Sequence, residues 1–163
     1  MMKVCLASVI AATMLLASDR ECQSDRDKIV GCVEKWYYEN GKLMSETPYK
    51  DNKANGVDKM YYENYENGRL MGEARYKNDK QNGVAKWYYA NGRLMGKARY
   101  KNGKRNGVEK AYYSSSEPFA DVIWNNGEIT SAKCHNGSIP TSAQLHNFSK
   151  SDDLSDLCGE TPH

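Results

Sequence analysis

Seven cations, Lys86, Arg93, Lys97, Arg99, Lys101, Lys104 and Arg105, crowd into one short stretch and are the residues best placed to do chemistry. Ammonium and guanidinium groups at that density bind anions: carboxylates of an acidic protein, or the headgroups of an anionic membrane. The local balance is one-sided. From Val84 to Lys110 there are eight Lys or Arg against one acid, Glu109, a charge of +7, whereas Ala111 to His163 carries two bases against seven acids, −5. The overall +2 conceals this division. One reading is a basic surface for an acidic partner. The other is plain solvation of exposed strand faces and turns. Nucleic acid is excluded as a partner, since no nucleic-acid module is present and the aromatic residues belong to an internal repetition.

The remaining reactive side chains do not form a catalytic set. His135, His146 and His163 all lie beyond the basic stretch. Cys134 and His135 are neighbours in sequence, but adjacent residues of a strand point to opposite faces. Glu63, Glu66 and Glu73 fall on turns and solvent faces, and the glycines are turn glycines rather than a phosphate loop. No enzymatic activity and no cofactor is expected.

Cys22, Cys32, Cys134 and Cys158 take their meaning from the start of the chain. Met1 to Ala17 holds Lys3 and then the uncharged run VCLASVIAATMLLA, the length of a signal-peptide core and short for a membrane span. Ala17 and Ser18 precede a charged segment, so cleavage is expected after one of them, giving a signal peptide over 1–18 and an exported, periplasmic or secreted product. Cys22 follows Asp19-Arg20-Glu21 rather than small residues, which argues against lipidation. Cys5 leaves with the leader, and four cysteines remain in an oxidising compartment. They allow three pairings; short loops favour Cys22–Cys32 and Cys134–Cys158, one clip at each end. Metal binding is not expected, because no CxxC or paired-His spacing exists.

The elements that carry the cations repeat. Gly83 to Arg105, GVAKWYYANGRLMGKARYKNGKR, recurs upstream from Gly56 and from Cys32, and begins again at Gly107 before decaying. Val33, Val57, Val84 and Val108 mark steps of 24, 27 and 24 residues, the long step holding an added Asn-Tyr-Glu near Tyr65. A degraded half-copy follows, with Asn126-Gly127-Glu128-Ile129 mimicking Asn91-Gly92-Arg93-Leu94.

Within a copy the period is two. Leu94, Gly96, Ala98 and Tyr100 share one face, and Met95, Lys97 and Arg99 the other, as in a half-buried antiparallel strand. The upstream copy has Met71, Glu73 and Arg75, so Lys97 stands where Glu73 stands with the opposite sign. Val84 to Tyr89 is β-branched and aromatic. Asn91-Gly92 predicts a type I′ hairpin turn, as do Asn40-Gly41 and Asn67-Gly68, and Asn55-Gly56, Asn82-Gly83 and Asn106-Gly107 are assigned to the return turns. Gly72 and Gly96 make room for rings of neighbouring strands. The tyrosines, Trp36 and Trp87 are read as packing before any aromatic groove.

The pattern V-x-K-x-Y-Y-x-N-G-(K/R)-L-M-x-x-x-x-Y-K-(D/N)-x-K-x-N-G resembles a MORN repeat of the bacterial variant type over about Cys32 to Gly137. The resemblance implies an all-β chain, an elongated single sheet of antiparallel hairpins. It also implies a binding role: bacterial chains of this kind are similar to antitoxins or immunity proteins that neutralise a toxin, and eukaryotic ones are associated with membranes and scaffolds. The expected organisation is therefore a signal peptide over 1–18, a cap or linker over 19–31, the repeats over 32–137 and an acidic polar tail over 138–163. Phe119 to Trp124 is expected to close the sheet edge. The tail is expected to be largely irregular, with room for a short helix around Leu154.

Overall fold

The computed structural model describes residues 20–64, 68–151, 153–160 and 162. The expected signal peptide over 1–18, Tyr65-Glu66-Asn67 beside the added Asn-Tyr-Glu, and the terminal His163 lie outside the described residues. Eleven strands form one open antiparallel sheet. They are β1 (Cys32–Tyr37), β2 (Leu43–Lys50), β3 (Lys53–Ala54), β4 (Gly56–Tyr61), β5 (Leu70–Lys77), β6 (Lys80–Tyr88), β7 (Leu94–Lys101), β8 (Lys104–Arg105), β9 (Gly107–Tyr112), β10 (Pro118–Asn125) and β11 (Glu128–Cys134). The order across the sheet is β1-β2-β4-β5-β6-β7-β9-β10-β11, with short β3 paired to β2 and β8 to β7. Sequence order and spatial order coincide because each hairpin docks on the one before it. The edge is closed by β11, one strand beyond the Phe119–Trp124 segment assigned to it from sequence.

Two turn types set the register, and both differ from the sequence expectation. At Asn91-Gly92 only the glycine has positive φ, 85°, while Tyr89 N–H donates to Arg93 O at 2.8 Å. A single left-handed residue after the turn is the three-residue hairpin loop, not type I′. The Asn91 carboxamide oxygen supports it by accepting from Arg93 N–H at 2.9 Å. The type I′ turns sit instead on the return path, at Asp51-Asn52, Asn78-Asp79, Asn102-Gly103 and Asn126-Gly127, where both residues have positive φ. Asn55-Gly56, Asn82-Gly83 and Asn106-Gly107 are therefore not the return turns. They lie a few residues later: Asn55 and Asn106 interrupt the strand, and their N–H groups donate to Pro48 O and Arg99 O, both at 2.8 Å.

One face of the sheet, called inner here, carries the repeat's small and aromatic residues. Ala74, Ala85 and Ala98 are directly opposite one another on β5, β6 and β7 and are buried. Trp87 lies between Gly72 and Gly96; a Cβ at either glycine would come within 3.5 or 3.8 Å of the indole and closer still to a backbone carbonyl. Successive copies are stitched through the second tyrosine of each pair. Tyr38, Tyr62 and Tyr89 hydroxyls donate to the carbonyls of Tyr61, Tyr88 and Tyr112, at 2.6, 2.7 and 2.7 Å. This is how a one-layer sheet resists sliding.

Both ends are capped on the inner side. At the start, α1 (Asp25–Val30) bonds to the β2–β3 turn, with Lys28 over the Tyr49 ring, and Cys22 is joined to Cys32. Beyond Ser138 the chain carries α2 (Ser142–Ser151) and α3 (Leu154–Cys158), the latter at the place where the sequence left room for a helix. Phe148 and Leu157, 1% and 0% exposed, pack on Phe119, Val122, Trp124 and Cys134, and Cys134 is joined to Cys158. Among the described residues this cluster is the largest concentration of fully buried side chains. Repeat stacks need such ends, because a terminal unit lacks one neighbour.

Candidate functional site

The opposite, outer face is where the cations lie. Position by position, the pairing runs Lys35, Glu46, Lys59, Glu73, Lys86, Lys97, Lys110, Asp121, Lys133, one residue from each of nine consecutive strands. Opposite charges alternate along this ladder except at one place. Lys97 stands between Lys86 and Lys110, so three ammonium groups are consecutive. Directly opposed like charges on a sheet are destabilising.

Each upstream acid is a hub. Glu46 accepts from Lys59 at 2.8 Å and from the Tyr61 hydroxyl at 2.7 Å; Glu73 accepts from Lys86 at 2.7 Å and from the Tyr88 hydroxyl at 3.3 Å. The Lys86 hydrogen bond and charge hold the Glu73 carboxyl below the usual carboxylate range, and Glu73 in turn raises Lys86. Burial alone pushes Glu46 up, but Lys59 and Tyr61 outweigh it and leave it lowered. Tyr61 is raised by burial and by Glu46. In the third copy the same three positions are Lys97, Lys110 and Tyr112. Lys110 turns to Asp121 on the other side, at 3.0 Å, and its pKa is raised by that bond. His135 also faces Asp121, at 3.7 Å.

Beside this row runs a second one. Arg75 and Arg99 are paired with Val57 and Val84, and Val108 with Ile123. Both arginines are exposed. Their stems lie flat over the backbone of the next strand, because Gly83 and Gly107 stand there; a Cβ at Gly83 would meet the Arg75 stem at 3.1 Å, and one at Gly107 the Arg99 stem at 3.6 Å. The two rows line an open groove of about 860 Å³ that runs from Val57 to Lys110. Its charged residues are Arg75, Lys86, Lys97, Arg99 and Lys110 against the single Glu73.

Of the cations singled out from the sequence, Lys86, Lys97 and Arg99 meet in this groove. The other four do not. Arg93 donates to Ser114 O at 3.0 Å and ties one copy to the next. Lys101 and Lys104 flank the Asn102-Gly103 turn. Arg105 is on the inner side, paired with Glu109 at 3.3 Å and stacked over Trp124 at 4.8 Å. Arg75 and Lys110 belong to the groove although the sequence reading did not place them there. Their signal was parity: each occupies the same period-2 position as a residue that was chosen. Among the described residues no cluster of His, Cys, Asp and Glu could hold a metal ion. No described helix is long and apolar enough to cross a membrane.

The described residues form a one-layer stack of hairpins with clipped ends and a cationic groove on the outer face. The sequence profile of the MORN repeat variant family is detected at residues 33–51, 55–78 and 81–102, which coincide with β1–β2, β4–β5 and β6–β7. Repeats of this kind are commonly protein- or lipid-binding modules and typically non-enzymatic. No protein of curated function matches the chain. Among solved structures, half of the chain aligns with a protein in the crystal structure of a GtfA/B complex bound to UDP and GlcNAc, at 17% identity and a TM-score of 0.33. The chain covers 18% of that protein, and so distant a likeness bears no argument.

Proposed function

We propose that the chain is a non-enzymatic recognition module whose outer face engages an acidic surface of a protein partner through Arg75, Lys86, Lys97, Arg99 and Lys110. The observation behind this reading is the interruption of the charge ladder at Lys97. Every other step of that ladder joins opposite charges, and like charges face one another only around Lys97. The inner face is encumbered by helices at both ends, while the groove is open.

The reading extends to compartment and organisation. Residues 1–18 act as a signal peptide, 19–31 as a cap, 32–137 as the repeat array and 138–163 as a closing tail. Two cystines fit an oxidising destination outside the cytoplasm. In its most specific form the partner is a toxin that this chain neutralises, a form that rests on the family resemblance alone. A second reading has one observation in its favour: Val84, Val108 and Ile123 are 40%, 48% and 44% exposed beside the arginines, as on a surface meeting anionic lipid.

The test uses the full chain as bait in its own compartment, with complexes rebuilt from purified components. Arg75→Glu, Lys97→Glu and Arg99→Glu together should abolish a complex that survives raised salt, with the β-type circular dichroism unchanged. A complex indifferent to all three charge reversals refutes the reading. Binding confined to vesicles containing phosphatidylserine, and lost at raised ionic strength, replaces it with the lipid reading.

A further inference from the structure

Resting on that reading, we infer that the third copy holds a vacant carboxylate receptor made of Lys97, Lys110 and Tyr112, which a glutamate or aspartate side chain of the partner fills. Two filled versions of this receptor exist within the molecule. In each, a carboxylate on one strand accepts from a lysine and a tyrosine two residues apart on the next: Glu46 from Lys59 and Tyr61, Glu73 from Lys86 and Tyr88. The third copy keeps the donors, Lys110 and Tyr112, at the same strand positions and replaces the acid by Lys97.

That replacement does more than remove an acceptor. It adds a third ammonium group to the row at the spot where the carboxylate stood. Lys97 has no acid across from it on either neighbouring strand, since both pairing partners are lysines. Tyr112 makes no hydroxyl hydrogen bond among the described residues, whereas its counterparts Tyr61 and Tyr88 both reach an acid. An incoming carboxylate finds a charge-assisted donor in Lys97 and a neutral one in Tyr112, with Lys110 shared between it and Asp121.

The internal copies also indicate the kind of anion. The site is shaped for one carboxylate approached by a lysine and a phenol, not for a phosphate clasped by a bidentate guanidinium. Arg99, two residues along from Lys97, lies about 7 Å away along the strand, the side-chain repeat of an extended peptide. A partner segment with acids at alternate positions of a strand thus matches Lys97 and Arg99 together, with its intervening residue lifted away from the sheet.

The device has a cost that identifies it. If Lys97 is retained for recognition, its presence opposes stability, and Lys97→Glu should rebuild the internal hub while destroying the receptor. Stability and binding then move in opposite directions. A residue that only solvates the sheet produces no such opposition.

The probe is hexaglutamate, titrated calorimetrically into the full mature chain at low and at physiological salt, with phosphatidylserine vesicles as a parallel arm. Expected results are a Kd about tenfold weaker or more for Lys97→Glu, and about threefold weaker for Tyr112→Phe. Lys101→Glu, the same change of charge at a turn outside the groove, should weaken it less than twofold. The melting temperature of Lys97→Glu should rise by about 3 °C. Equal losses in Lys97→Glu and Lys101→Glu, or no response to Tyr112→Phe, overturn the receptor while leaving a cationic binding face. Binding of vesicles but not hexaglutamate overturns it in favour of a lipid surface. If neither probe binds the unmodified chain, the recognition reading itself falls with it.

Discussion

Opening the Cys134–Cys158 bridge should cost this protein more than opening Cys22–Cys32, and the difference should appear in a particular signal. The bridge closes a loop of 24 residues' separation, and the chain-entropy relation for that length gives about 3.4 kcal/mol; the 10-residue separation of Cys22–Cys32 gives about 2.7 kcal/mol. The two do not stabilise equal amounts of structure. Cys158 ends α3, which holds Leu157 at 0% exposure, and α2 holds Phe148 with its ring centroid 6.2 Å from that of Trp124. If the bridge is what keeps both helices on the inner face, Cys134→Ala with Cys158→Ala releases them and wets Trp124. Urea melts followed by tryptophan emission should show a loss of about 3–4 kcal/mol, with emission shifted to longer wavelength before the main transition. Cys22→Ala with Cys32→Ala should shift the midpoint less and leave that early change absent. Matching emission and midpoints for the Cys134/Cys158 double variant and the parent would mean that the helices dock by packing alone and the bridge is incidental.

Tyr89→Phe removes a hydroxyl that lies 2.7 Å from both Tyr112 O and Pro162 O and donates to one of them at a time, and should destabilise by about 1 kcal/mol while leaving strand content unchanged; an unaltered melt would show that the inter-copy stitching is dispensable. The acid limb of stability should contain a contribution from Glu73. Its carboxyl is held low by Lys86, so the stabilisation is fully present above the unfolded-state value, about 4.3, and is lost as pH falls through the lower folded value. Glu73→Gln should flatten that part of the pH profile, and an identical profile would show that the Lys86 pair contributes nothing measurable.

The strands and their order were legible because each copy states the same period-2 alternation three times over, and a register consistent in all of them is hard to misassign. The turns were less legible. Asn91-Gly92 and Asn106-Gly107 are the same dipeptide, with positive φ at the glycine of each, yet one closes a three-residue loop and the other marks a strand break, so the pairing of the flanking strands decides where the chain reverses. The helical closure was nearly silent. Leu145 and Phe148, then Leu154 and Leu157, are spaced three apart, but two such pairs in a polar tail carry little periodic signal on their own. Their burial depends on Trp124, Val122 and Phe119, residues that the repeat supplies only once it has formed. Parity would have gone further in locating the site. It sorts Arg75, Lys97, Arg99 and Lys110 onto one face and Arg105 onto the other, whereas counting charge along the sequence merges them.

A partner's position along the array follows from how quickly charge is screened. Neighbouring strands are about 4.8 Å apart, so Lys86, Lys97 and Lys110 on three successive strands span about 10 Å, close to the Debye length of about 8 Å at physiological salt. Their fields add. Lys35 lies five strand steps from Lys97, about 24 Å, and is separated from it by the neutralised pairs Lys59–Glu46 and Lys86–Glu73. An approaching acid therefore experiences one maximum, over β7, instead of a uniform ladder along which it could slide. A strictly alternating ladder would hold the sheet together more firmly and offer no preferred register. Exchanging one acid for a lysine converts a repetitive scaffold, whose copies are otherwise equivalent, into a surface with a single address.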